Sequence, residues 1–208
     1  MAYPVHFAVD YQERASRLTT FFRLVLVIPH LIVLALWAIL AWVLAIVAWF
    51  AIVITGRHPR GIFDLQARFL AYYGRVLCYQ WLLVDGFPPI GGGSPDDGYP
   101  VRLTVDYPER QSRLTVFVRL LMAIPASMVA YALNLLLEIL AFFAWLVIVF
   151  LGRLPRGIFE VMELPARFQV RLAAYAFLLL TDAYPWFQPE SEATVPERSW
   201  DDPLPPVA

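Results

Sequence analysis

Tyr131, Asn134 and Glu138 are the residues of this chain best spaced to do chemistry. They fall at i, i+3 and i+7 of one apolar run, so a helix through that run carries all three on one face. A carboxyl group in hydrocarbon is costly unless it is paired, hydrated or protonated. Glu138 therefore calls for a partner. Arg75 and Arg171, one in each half of the chain, are the natural candidates. A carboxylate held in that way serves either a proton or ion relay beside a polar pocket, or an ion pair that locks helices together.

Arginine supplies the second chemistry. All sixteen basic residues are arginine, with no lysine. A planar guanidinium recognises phosphate in a bidentate manner, and arginine usage also follows nucleotide composition. Arg17, Arg23, Arg113 and Arg119 lie on amphipathic segments. Arg57, Arg60, Arg153 and Arg156 lie in two short Gly- and Pro-bounded loops. These eight are the candidate lipid headgroup contacts. In the loops, ordinary solvation and a topology signal are the competing explanation.

Other chemistries find little support. His6, His30 and His58 are scattered, with no metal-ligand spacing, and read as interface or surface histidines. Ser16-Arg17 recurs as Ser112-Arg113, but the second half has no histidine to serve as a base, so a duplicated serine nucleophile is not expected. There is no nucleotide-binding glycine loop. The single Cys78 rules out an intrachain disulfide. The expectation is no catalytic residue, no metal and no cofactor.

The elements that must position these residues come as a duplication. Tyr3-Pro4-Val5 returns as Tyr99-Pro100-Val101, and Ser16-Arg17-Leu18-Thr19 as Ser112-Arg113-Leu114-Thr115. Pro59-Arg60-Gly61-Ile62-Phe63 returns as Pro155-Arg156-Gly157-Ile158-Phe159, again 96 residues on. Such a repeat sets how the whole fold is read. Val5, Phe7 and Val9 alternate with more polar neighbours, as do Val101, Leu103 and Val105, which predicts two short strands. A lone strand leaves its backbone unpaired, so the two are expected to pair with each other. Asp10 with Glu13, and Asp106 with Glu109, have the spacing of a helix N-cap with an acidic third residue. Amphipathic helices are expected over about Glu13–Ile28 and Glu109–Ile124, kinked or ended at Pro29 and Pro125.

Composition then sets the class. The chain of 208 residues is 60% hydrophobic and 16% charged, with a net charge of −1. That profile favours a membrane protein and gives no electrostatic case for nucleic acid. Residues 31–54 contain no charge, Gly or Pro. As a helix they rise about 36 Å, enough to cross a hydrocarbon core of about 30 Å. The matching run from Ala126 to Leu151 is broken only by Ser127, Asn134 and Glu138. A second helix starts near Ile62 and near Ile158, bearing Asp64, Arg68, Tyr72, Arg75 and Tyr79 along one stripe in the first copy. Two matching units with matching basic loops are most simply placed in one orientation, which needs an even number of crossings per unit, so the second helices are expected to cross too. The rival is an inverted repeat with one crossing per unit and interfacial second helices. Arginine placement puts the termini on the cytoplasmic side.

The ordered strings Tyr-Pro-Val, Asp-Tyr-x-Glu, Ser-Arg-Leu-Thr, Ile-Pro and Gly-Arg-x-Pro-Arg-Gly-Ile-Phe, present twice, resemble a bacterial integral-membrane domain family of unknown function that is often found as tandem copies. The resemblance covers residues 3–90 and 99–187 and implies an inner-membrane protein. It supplies no activity, cofactor or catalytic residue. The resulting expectation is a mainly α membrane protein of two tandem repeats. Each repeat has a short strand, an amphipathic interfacial helix, a long transmembrane helix and a second membrane or interfacial helix. Residues 1–87 form unit 1, 88–98 a Gly/Pro-rich linker, 99–187 unit 2 and 188–208 a disordered acidic, Pro-rich tail. The expected role is a non-enzymatic scaffold, accessory subunit or lipid-interacting module in the bacterial inner membrane, multi-pass, with lipids as partners. A membrane-protein partner or a second copy of the chain is the further expectation. The alternative is a small transporter or proton-coupled carrier using the Glu138 face, and an enzyme acting on lipid stands third.

Overall fold

The computed structural model describes residues 3–91 and 97–186. The tail assigned to 188–208 and the centre of the linker lie outside them. In chain order the elements are β1 (Val5–Val9), α1 (Arg17–Leu26), α2 (Ile28–Thr55), α3 (Arg60–Gln80), β2 (Val101–Val105), α4 (Arg113–Leu151) and α5 (Arg156–Leu172), the last followed by a π-turn over Ala173–Phe177.

The two strands pair with each other, antiparallel, as the unpaired-edge argument requires. Phe7 stands opposite Leu103, its own counterpart in the repeat, so the pseudo-symmetry between the units passes through the centre of this sheet. Val5, Phe7, Val101 and Leu103 point inward and are buried. Across the outer face His6 meets Asp106 at 3.2 Å and Arg102 meets Asp10 at 2.7 Å.

The helix starts differ from the expected caps. Ser16 and Ser112 are the N-caps, each hydroxyl accepting from the amide of Thr19 or Thr115. Residues 10–15 stay outside the helix because their backbone is claimed elsewhere. The Ala15 amide donates to the Gly152 carbonyl, and the Glu13 carbonyl accepts from the Leu154 amide. Local capping loses here to pairing with the other unit. Pro29 enters α2 in its first turn, just after a break at Val27. Pro125, by contrast, sits inside one unbroken α4 of 39 residues. Preceding helical turns tolerate it there at the expense of one backbone hydrogen bond.

The Gln111 amide donates to the Gly56 carbonyl, so the end of α2 meets the start of α4. The end of α4 meets the start of α1 through Ala15 and Gly152 in the same way. The two long apolar helical segments therefore run in opposite directions. This overturns the expectation of two units in one orientation, and with it the parity argument that made every second helix a crossing helix. Each basic loop docks on the other unit's pre-helix segment, an exchange that no local pattern displays.

Two ends of the molecule result. One gathers residues 11–16, 79–85 and 152–154. The other gathers 107–112, 56–58 and 179–182. Both α2 and α4 close on a left-handed glycine, Gly56 and Gly152, each at φ 72°. A Cβ on Gly152 would stand 3.1 Å from the Arg17 Nε, and one on Gly56 3.5 Å from the Arg113 Nε. Arg17 and Arg113 thus lie against the carboxyl ends of the other unit's long helix, where the helix dipole favours a cation.

The core lies between the long helices and the sheet. α3 is buried along most of its length, from Phe63 through Tyr79, and packs on α2, α5 and β2. An alanine stripe, Ala41, Ala45 and Ala48 on α2 and Ala141 and Ala144 on α4, faces inward. The remaining circumference of α1, α2 and α4 is exposed and mostly apolar, with Arg17, Arg113, Ser127 and Glu138 among its exposed residues. Both α2 and α4 are long and apolar enough to cross a membrane by length and composition.

Candidate functional site

The polar face of α4 forms only in part. Asn134 Nδ2 donates to Glu138 Oε1 at 2.7 Å, as the spacing of four allows. Tyr131 is exposed and outside that pair. Glu138 meets neither of the arginines expected to neutralise it. Arg75 is buried and forms a bidentate pair with Asp97 at 2.6 and 3.1 Å, its guanidinium over the Tyr99 ring. Arg171 is buried and donates to the Trp186 carbonyl at 3.0 Å, stacked over Tyr3. Both arginines hold chain segments that flank the strands, which is why neither reaches the α4 face. The relay constellation of Glu138 with Arg75 and Arg171 is therefore not assembled.

Arg23 and Arg119, expected among the headgroup contacts, are turned inward and 3% and 1% exposed. Arg23 Nη1 donates to the carbonyls of Tyr79 and Val84, and Nη2 donates to Asp85 at 2.7 Å. Its guanidinium lies 4.4 Å from the centre of the Tyr79 ring. Arg119 repeats the arrangement with Asp182 and the Tyr175 carbonyl. Burial pulls the Arg23 guanidinium below its ordinary pKa, and Tyr79 and Asp85 oppose that pull. Asp85 also accepts from the Ser16 amide and the Thr19 hydroxyl, as Asp182 does from the Ser112 amide. Each pair ties the first helix of its unit to the segment that follows the unit's last helical element. The signal was present in the sequence, since Asp85 and Asp182 recur with the arginines they neutralise.

The other six arginines are exposed and collect at the two ends. Arg14 and Arg17 meet Arg153 and Arg156 at one end, with Arg14 and Arg153 joined by a backbone bridge. Arg110 and Arg113 meet Arg57 and Arg60 at the other, where Arg60 stacks 4.3 Å from the Tyr107 ring centre. Arg14 and Arg110 complete these clusters and were not among the expected contacts. The acids beside the first are sparse: Glu13 lies 3.9 Å from Arg153, and Glu160 pairs with Arg156 at 3.0 Å. Such a grouping of guanidiniums beside exposed Leu18, Phe21, Leu114 and Phe117 can hold anionic oxygen at the edge of an apolar surface.

Two histidines expected at a surface are buried instead. His30 Nδ1 lies 2.8 Å from the Tyr72 hydroxyl. His58 Nε2 lies 3.1 Å from Gln66 Oε1, and Gln66 in turn donates to the Ala41 carbonyl. Burial lowers the His58 pKa, against its hydrogen bonds to Pro59 and Gln66, which raise it. The unfolded chain then takes up a proton before the folded chain does, so stability falls as pH drops below about 6.5. Thermal melts between pH 7.5 and 5.5 are expected to show this loss, and His58→Asn is expected to reduce it. A slope unchanged by His58→Asn would place the titration elsewhere.

The profile of a family described as a domain of unknown function (DUF4389) matches residues 17–90 and again 113–188, and the chain belongs to that family. The two matches coincide with the two repeats. No curated protein and no solved structure matches the chain.

Proposed function

We propose that this member of the DUF4389 family is a non-enzymatic, lipid-interacting membrane module that lies along one bacterial membrane face and offers its sheet side as a platform. The observation that carries the reading is the length of its exposed apolar surface. On α4, exposed apolar side chains run from Leu114 to Leu151. On α1 and α2 they run from Leu18 to Ile54. At 1.5 Å per residue these strips are about 56 and 54 Å long. A hydrocarbon core is about 30 Å thick. Fitting such a strip across the core needs a tilt near 60°, beyond the observed range of about 0–40°.

Lying in the plane removes the mismatch. The apolar strips enter one leaflet, and both arginine clusters meet its headgroups. The sheet, with His6, Asp10, Arg102 and Asp106 on its outer face, faces water from behind α3 and α5. A transverse placement would instead set this open two-stranded sheet and its charges at mid-membrane depth, where unpaired strand edges are not tolerated. Flat seating also suits Trp42, which is 63% exposed and would otherwise sit near the bilayer centre. The supporting test is flotation of the full chain with vesicles containing anionic lipid. Stable co-flotation that survives high salt is expected, because apolar insertion is not screened. Release by salt alone would point to a purely electrostatic surface contact and count against the reading.

A further inference from the structure

The repeat is broken where one groove forms. Thr20, Gln80 and Glu138 line a cavity of about 500 Å³ between α1, the end of α3 and α4, together with Arg23. The counterparts of the three uncharged or acidic members are Val116, Ala176 and Trp42. The Gln80 match follows from Tyr79 and Tyr175, whose carbonyls accept from Arg23 and Arg119 in the two units. Three separate departures from the repeat thus converge on one place, while the equivalent place in the other half stays apolar around its arginine.

The groove also holds unmet hydrogen-bonding capacity. The Arg23 Nε and the Thr20 hydroxyl are both buried and have no hydrogen-bond partner. Arg119 Nε is likewise unpartnered, but no counterpart of Thr20, Gln80 or Glu138 stands beside it. Glu138 commits one oxygen to Asn134 and also lines the groove. Trp81, Trp145 and Phe142 form aromatic wall, and Leu24 and Phe142, 79% and 60% exposed, carry the groove out onto the apolar face.

A donor pair beside an acceptor pair with aromatic wall is suited to a zwitterion. We propose that this groove binds the headgroup of an aminophospholipid. The ammonium sits at Glu138 against the indole rings, where carboxylate and ring faces both attract a cation. A phosphodiester oxygen accepts from Arg23 Nε and the Thr20 hydroxyl, and Gln80 flanks the headgroup. The acyl chains leave past Leu24 and Phe142. The assignment rests on the lipid-interacting reading above and makes it specific.

The test uses the full chain in neutral detergent micelles, so it reads the groove whether or not the protein seats on bilayers. Short-chain phosphatidylethanolamine, phosphatidylglycerol and soluble phosphorylethanolamine are titrated separately, with tryptophan fluorescence and native mass spectrometry as readouts. The expected result is a preference for phosphatidylethanolamine over phosphatidylglycerol of about tenfold or more, the scale of one charged contact. Glu138→Gln is expected to erase that preference. The triple exchange Thr20→Val, Gln80→Ala, Glu138→Trp installs side chains that the fold already carries at the counterpart positions, and it is expected to erase the preference with the thermal melt preserved. Equal affinity for the two lipids, or a preference that survives Glu138→Gln, overturns the proposal. Phosphorylethanolamine binding as tightly as the lipid overturns the lipid assignment in favour of a water-soluble amine.

Discussion

Asp85→Ala is expected to cost about 3 kcal/mol of stability, at the lower end of the range for removing one member of a buried ion pair. Arg23 would be left 3% exposed with its charge uncompensated. The lower end applies because the Asp85 side chain is itself about a quarter exposed. The same substitution removes acceptors from the Ser16 amide and the Thr19 hydroxyl, so α1 also loses part of its N-terminal support. The control is the double variant Arg23→Met with Asp85→Ala. Replacing a buried pair by apolar groups is far less costly than orphaning one charge. The double variant is therefore expected to unfold later than Asp85→Ala alone. Denaturant unfolding in micelles measures both. If the double variant were the less stable, the carbonyl contacts to Tyr79 and Val84 would outweigh the ion pair. Asp182 and Arg119 should reproduce the pattern in unit 2.

Leu135→Arg tests whether the outward apolar face of α4 enters the proposed bilayer. Leu135 is 44% exposed on the outward side of α4, close to the middle of the strip. On a water-facing surface this exchange is nearly neutral for stability. On a helix lying in one leaflet the exchange forfeits burial of one leucine, about 1.5–3 kcal/mol. That corresponds to a loss of vesicle association of roughly 10- to 150-fold. The expected outcome is a normal melt in detergent with greatly weakened flotation. Unchanged flotation would mean that this face does not enter lipid.

The duplication made much of the fold legible. Strand alternation in Val5–Val9 and Val101–Val105, together with the unpaired edges of either alone, was enough to predict the sheet. The charge-free run 31–54 was enough to predict α2. Local pattern failed where long-range contacts prevail. Asp10 and Glu13 carry a capping signature, yet the backbone around them pairs with residues 152–154, which lie nearly 140 positions away. Unit orientation failed for the same reason. Counting crossings assumes that each unit meets the bilayer independently, whereas the two exchange their basic loops and run oppositely.

The candidate site was legible in its residues and not in its partners. Glu138 departs from the repeat, and Asn134 stands beside it on the same face. Residue type and placement, one on each second helix, point Arg75 and Arg171 toward it, but Asp97 and the Trp186 carbonyl hold them instead. Arg23 looked like a surface cation on an amphipathic helix because its neutralising carboxylate lies 62 residues along the chain. What identifies the groove is the comparison between the halves. Thr20 against Val116 and Gln80 against Ala176 are unremarkable substitutions singly, and gain meaning only when the fold brings them to Glu138.

The most direct test of one-face seating is labelling at the two ends of the molecule. Cys78 is buried and should stay silent toward a membrane-impermeant thiol reagent. Arg57→Cys and Arg153→Cys mark opposite ends of the long helices, and His6→Cys marks the outer face of the sheet. In sealed membrane vesicles of one orientation, all three are expected to react from the same side. Reaction of positions 57 and 153 from opposite sides would contradict flat seating and restore a transverse one.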